Sequence, residues 1–224
     1  MKISKSTLEV LDNFSGINPS ITLRPGNVIR VGTPALDLFA QAVVEDEFPS
    51  KVKIFNLKKF LSVMSLFKDE ADVEFSDKKI YIKSSRNTVE YTLAEADDGR
   101  KAMESPDKEP NVPTPAFTFT LSHDDLVQAQ KAMSVLELPN MTFEDVGDSV
   151  RLSGTDDRNS AKDKYSIIVG TPTWVGEKKP TKISVSRSSV KFLPRSYTVG
   201  VHEAYVKFTS DDRVSYWVPA LAAK

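Results

Sequence analysis

Thr120-Leu121-Ser122, running on into His123-Asp124-Asp125-Leu126, decides the reading of this chain. A short apolar stretch meets a serine, and the serine opens a segment with Leu126, Ala129, Met133 and Leu136 at three- and four-residue spacing. Serine and asparagine cap helix N-termini because their side-chain oxygens accept from the unpaired first amides. The pattern therefore predicts a strand over 117–121 feeding an amphipathic helix over about 123–136. The same junction recurs at Lys2-Ile3-Ser4, Ile54-Phe55-Asn56 and Ser184-Val185-Ser186. Four such junctions, each followed by short β-like segments, indicate an internal repeat, and a repeat determines architecture.

Working outward, the first junction predicts a helix over about 5–15, with Leu8, Leu11 and Phe14 inward and Lys5, Glu9 and Asp12 outward. Strand-like stretches follow at 21–23, 27–31 and 36–44, with Arg24-Pro25-Gly26 as a turn. The second predicts a helix over about 57–67 through Leu57, Phe60, Leu61, Met64 and Phe67, then strands at 73–75, 79–83 and 88–93. After the third helix come strands at about 141–146, 149–153 and 165–169. The fourth junction predicts a strand at 182–185, a short helix near 188–192 stopped by Pro194, and hairpin strands at 197–201, 205–209 and 214–218. Residues 95–116, with Pro106, Pro110, Pro113 and Pro115, sustain neither helix nor central strand and read as an extended linker. The expectation is an α+β chain of two similar domains, 1–94 and 117–224. Each holds two strand–helix–three-strand units.

Composition narrows the function. With 224 residues and 40 % hydrophobic content the chain can bury one large core or two smaller ones. No apolar run reaches the ~18 residues that suggest a membrane helix, and the opening Met1-Lys2-Ile3-Ser4-Lys5 has no signal-peptide core. The absence of cysteine excludes disulfides, thiolate zinc sites and cysteine nucleophiles, and fits a reducing cytoplasm. Thirty basic residues against 31 acidic ones argue against a protein that holds nucleic acid by overall charge.

Chemistry-bearing motifs are missing as well. There is no nucleophile elbow, no phosphate-cradling glycine loop and no paired-histidine zinc helix. His123, in a first helical turn, and His202, in a hairpin turn, are each expected as solvated surface residues. The Asp-Asp pairs at 97–98, 124–125, 156–157 and 211–212 lack the alternating ligands and bidentate glutamate of a hard-cation loop. Neither enzymatic activity, a metal nor a cofactor is expected.

The repeated unit, two per domain, resembles DNA sliding clamps, and individual stretches resemble the clamps of T4-like bacteriophages. The first domain carries the resemblance in Met1-Lys2-Ile3-Ser4-Lys5, Asn13-Phe14, Ile17-Asn18, Ile54-Phe55-Asn56-Leu57, Phe60-Leu61 and Ser65-Leu66. The second carries it in Asp125-Leu126, Lys164-Tyr165-Ser166, Gly170, Val218 and Ala220-Leu221. The resemblance implies a processivity-clamp fold and a homotrimeric ring around duplex DNA, with helices lining the hole and sheets outside. It also implies a tethered replicative polymerase, an ATP-driven clamp loader, late-transcription factors as further partners, and the cytoplasm of an infected bacterial host. Two other readings compete with it, a phage structural or assembly protein and an enzyme with an unrecognised site.

Geometry bears on the copy number. Helices pack about 10 Å apart, so eight of them leave a hole of roughly 16 Å and twelve a hole of roughly 28 Å after subtracting about 5 Å of helix on each side. The wider hole admits a hydrated duplex and the narrower does not, so three copies are expected. The polar helix faces offer Lys5, Lys58, Lys59, Lys131, Arg187 and Lys191 to DNA, with Lys131, Arg187 and Lys191 least diluted by acidic neighbours. By the same resemblance, a partner-peptide pocket between the domains is expected near Phe39, Val112, Pro113, Trp217 and Val218.

Overall fold

The computed structural model describes residues 1–67, 71–94, 102–156, 163–177 and 181–222. Much of the expected linker, residues 95–101, lies outside them, as do Asp97, Asp98 and Asp157. The chain divides into two compact units, Met1–Glu109 and Pro110–Lys224.

The first unit runs α1 (Lys5–Ser15), β1 (Ile21–Leu23), β2 (Gly26–Gly32), β3 (Phe39–Phe48), β4 (Val52–Ile54), α2 (Leu57–Leu66), β5 (Asp72–Phe75), β6 (Lys79–Lys83) and β7 (Thr88–Thr92). The caps form as the sequence demands. Ser4 Oγ accepts from the Thr7 amide at 3.2 Å, and Asn56 Oδ1 from that of Lys59 at 2.9 Å. Asp46 on β3 then fixes the α1 cap, accepting from both the amide and the hydroxyl of Ser4. The buried face of α1 is Thr7, Val10, Leu11, Phe14 and Ser15, so Val10 takes the inward place expected for Leu8, which is only half-buried. α2 buries Leu57, Phe60 and Met64. Each fully buried leucine or phenylalanine of this kind contributes about 1.5–3 kcal/mol.

Strands β1 and β4 pair antiparallel, as do β2 and β3, and β5, β6 and β7 form a meander. The Met1 ammonium donates to the Val73 carbonyl and the Val73 amide to the Met1 carbonyl, which covers the outer side of β5. Residues 102–107 are extended but not free. Thr22 and Ser105 exchange amide-to-hydroxyl bonds, and Arg24 donates to the carbonyls of Ser105 and Pro106. Glu104 pairs with Arg24, Lys51 and Lys53. This part of the proline-rich stretch is therefore a strap pinned along β1.

The second unit runs β8 (Phe117–Leu121), α3 (His123–Val135), β9 (Asn140–Asp145), β10 (Val150–Thr155), β11 (Tyr165–Val169), β12 (Thr173–Trp174), β13 (Lys182–Ser186), β14 (Tyr197–Val201), β15 (Tyr205–Thr209) and β16 (Val214–Pro219). One sheet has the order β11-β10-β9-β13, and a second set of strands runs β12-β8-β14-β15-β16. Ser122 caps α3 through the Asp125 amide at 3.1 Å, and its hydroxyl donates to the Asp125 carboxylate. Asp124 and Asp125 sit in the first turn, where the helix dipole favours negative charge. Gly154 on β10 lets α3 approach, since a Cβ there would stand 2.6 Å from Met133 Cγ.

The fourth junction departs from expectation. In place of a helix near 188–192 there is one 3-10 turn, Arg187–Ser189, and Ser186 makes no side-chain cap bond. The chain leaves helical geometry at Val190, with ψ at 72°. Two buried tyrosines hold it extended beyond that point. Tyr197 donates its hydroxyl to the Leu193 carbonyl at 2.6 Å, and the Leu193 amide donates to Tyr216 at 3.2 Å. Phe192 packs on the same cluster, its ring 4.4 Å from that of Tyr216 and 4.6 Å from that of Phe208. A local helix signal lost to aromatic packing from β14, β15 and β16.

Candidate nucleic-acid interface

Each predicted DNA-facing cation has a definite place. Lys5 is exposed at the start of α1, whose outer face also carries exposed Glu9 and Asp12. Lys58 and Lys59 are exposed in the first turn of α2, a helix that contains no acidic residue. Lys131 is exposed on α3, Arg187 half-buried in the 3-10 turn, and Lys191 exposed just beyond it. Among the described residues, Lys58, Lys59, Lys131 and Arg187 form no ion pair and no side-chain hydrogen bond.

Several cations elsewhere are paired within the chain. Lys79 pairs with Glu90, Lys83 with Glu74, Arg151 with Glu144, and Arg195 with Asp212. In the strap, hydrogen bonds from Lys51 and then Lys53 hold the Glu104 carboxyl below its usual range. The charge of Lys58, Lys59, Lys131 and Arg187 is thus left available to an external anion. Within the second unit, α3, Pro139 and the 3-10 turn border an open cleft of about 380 Å³ lined by Gln130, Ser134, Ser186, Arg187, Ser188 and Val190.

The predicted partner residues fall into both units. Phe39 opens β3 in the first unit and is half-buried. Val112 is half-buried and Pro113 exposed in the extended start of the second, while Trp217 and Val218 lie on β16 at 3 % and 1 % exposure. Trp217 is a buried aromatic. β16 is buried on both faces through Val218, and Lys207 Nζ stands 4.7 Å over the Trp217 ring.

His202 also corrects the sequence reading. It is buried at 4 % exposure and stacked on Tyr205 with ring centroids 4.1 Å apart, its Nδ1 2.7 Å from the Tyr205 hydroxyl. That hydroxyl donates to the Pro113 carbonyl at 3.1 Å, so the hairpin latches the extended segment. Burial pushes the imidazole below its ordinary pKa, opposed by the Pro113 carbonyl. The available signal for this latch was the spacing His202-x-x-Tyr205 across a tight turn.

Two α+β units built on one strand–helix–strands plan, with unmatched cations on their helices, define a scaffold of the DNA-clamp class. Residues 2–103 match the family model described as DNA polymerase processivity factor. The sliding clamp of Vibrio phage KVP40 is 31 % identical over 212 residues, covering 91 % of each chain, and that of Enterobacteria phage T4 is 26 % identical over 88 % of this chain and 85 % of the other. The chain belongs to the sliding clamp family. In fold it is similar to the A. fulgidus PCNA solved with the C-terminal region of FEN-1, with a TM-score of 0.71 at 12 % identity over 97 % and 96 % of the two chains. The protein is a processivity factor, not an enzyme, and the structural-protein and enzyme readings fall with that assignment.

Proposed function

We propose that three copies of this chain close head to tail into a ring that encircles duplex DNA and tethers a replicative polymerase. The observation that carries the proposal is a pair of sheet-terminating strands of equal length. β7 ends the first unit's meander, β11 ends a sheet of the second, and each is five residues long. Strand edges of this kind pair with another chain. β7 of one copy against β11 of the next is a heterologous contact, the kind that generates rings when its rotation closes. Ile168 on β11 is 56 % exposed, and burying it favours the contact. With three α-helices and a 3-10 turn per chain among the described residues, three copies line the hole at twelve positions, nine of them helices.

DNA is held by closure, and the helix cations centre it without gripping. Strong pairing to many phosphates would act as a brake. An ATP-driven loader opens the ring, and polymerase and late-transcription peptides dock around Val112 and Pro113 at the extended start of the second unit. The fold neighbour with a bound FEN-1 segment supports a peptide-docking role. The chain works in the host cytoplasm.

Sedimentation velocity over a wide concentration range tests the assembly. A species near three times 24.9 kDa that dissociates on dilution is expected. A chain that stays monomeric or dimeric throughout refutes the ring. Charge reversal at Lys131, Arg187 and Lys191 together should lower processivity with ring mass unchanged, and unaltered processivity refutes the DNA-facing assignment.

A further inference from the structure

We infer that the cleft beside Met1 takes an extended segment of a partner protein, which adds to the open edge of β5 and seats an aromatic side chain flanked by basic residues. The inference concerns the first unit alone and stands whether or not three copies close into a ring.

The internal repeat shows what fits there. In the second unit β14 pairs with β8 along its length, with Val199 opposite Phe119 and Val201 opposite Phe117. Phe117 is fully buried, its ring 5.1 Å from that of Trp174. The first unit keeps the same register. Met1 stands three residues before the cap Ser4, as Phe119 stands three before Ser122. Met1 exchanges backbone bonds with Val73, which is therefore the counterpart of Val199. Phe75, two residues on, is the counterpart of Val201. Opposite it, where the second unit holds Phe117, no residue sits among those described. An open cleft of about 580 Å³ lies there instead, its lining including Met1, Glu47, Pro49, Asp72 and Phe75.

Backbone, apolar surface and charge agree on the occupant. The Ser76 amide donates to the Lys79 carbonyl, and backbone groups alternate along an antiparallel ladder, so those of Val73 and Phe75 face away from β6. Met1 satisfies Val73. Among the described residues nothing bonds the Phe75 amide or carbonyl on that side, which leaves a donor and an acceptor for an added strand. Phe75 is half-buried, and its ring meets that of buried Phe48 edge-on with centroids 6.0 Å apart. At the rim Glu74 is matched by Lys83, but Glu47 and Asp72 are exposed and form no ion pair among the described residues. Two unmatched carboxylates against the single Met1 ammonium make the rim net negative, which selects a basic segment.

The test is an NMR titration of the amide resonances of the intact protein with a synthetic peptide that sets the Ala116-Phe117-Thr118 sequence between two lysines. The Phe75 amide should shift and saturate. Replacing the peptide phenylalanine by alanine should weaken binding by about tenfold or more, from the apolar area lost. Asp72→Lys, at an exposed position, should weaken it several-fold. Absence of a saturable shift at Phe75, equal affinity for the alanine peptide, or undiminished binding by Asp72→Lys overturns the site. If the peptide-free protein forms on concentration an assembly that Asp72→Lys abolishes, the edge belongs to a second copy of the chain and the partner reading falls.

Discussion

Replacing Tyr197 by phenylalanine isolates the interaction that converts the fourth helix into a turn. The side chain is 1 % exposed, and its hydroxyl donates to the Leu193 carbonyl at 2.6 Å. Burial raises its pKa far above the usual phenol value, as it does for Tyr216, so both hydroxyls stay protonated at any working pH. A net hydrogen bond contributes about 1 kcal/mol, and a buried carbonyl left without a partner costs about 1–3 kcal/mol, so a loss of about 2 kcal/mol is expected. With a urea slope of about 2–3 kcal/mol/M, the unfolding midpoint falls by roughly 0.7–1 M. Tyr216→Phe removes the acceptor of the Leu193 amide and should cost a similar amount. The two groups hold one residue, so the double variant should lose less than the sum of the single losses. The assay is urea unfolding of the three variants followed by tryptophan fluorescence. A loss under about 0.5 kcal/mol for Tyr197→Phe, or strict additivity, refutes the idea that these hydroxyls act together to hold the segment.

Other expectations test separate parts of the molecule. Ser105→Ala removes the acceptor of the Thr22 amide, so hydrogen exchange at Thr22 should accelerate, whereas Glu104→Gln, in an exposed ion cluster, should cost no more than about 1 kcal/mol in denaturant. Gly154→Ala forces a Cβ toward Met133 and Leu138 and should lower stability by about 1–3 kcal/mol, read as a drop in Tm. His202 has a folded pKa below its unfolded value, so the unfolded chain takes up the proton first. Its contribution is full above the unfolded pKa of about 6.5 and is lost as pH falls through the lower folded value. Groups facing the ring are Tyr205, the Pro113 and Thr114 carbonyls and Lys207. Denaturation at stepped pH should show this component in the unaltered protein and not in His202→Asn, and parallel profiles would contradict it.

The sequence made the helices legible where the deciding contacts were local. Ser4, Asn56 and Ser122 each cap through an amide three residues on, and the apolar spacing that follows defines α1, α2 and α3. Ser186 looked equivalent and was not, because the residues that reshape its segment, Tyr197, Phe208 and Tyr216, come from three later strands. The β3 start was displaced for a different reason. Leu36 adopts φ of 57° inside a turn that Thr33 closes by accepting from the Asp37 and Leu38 amides, so the strand begins at Phe39. Strands β4 and β12 are too short, at three and two residues, to leave a periodic signal. Among the site residues, exposed helix lysines were readable from the polar faces. Burial of Trp217 and His202 was not, since each depends on partners brought in by hairpin pairing.

The strap along β1 bears on how a polypeptide with two look-alike halves avoids scrambling. Tandem copies of one plan are prone to exchange elements while folding, since each half presents strands the other could accept. Ser105 is keyed to Thr22 by two reciprocal bonds, and Glu104 to three cations of the same half. The last stretch before the second half begins is thereby claimed by the first, so it is already committed while its twin is still emerging.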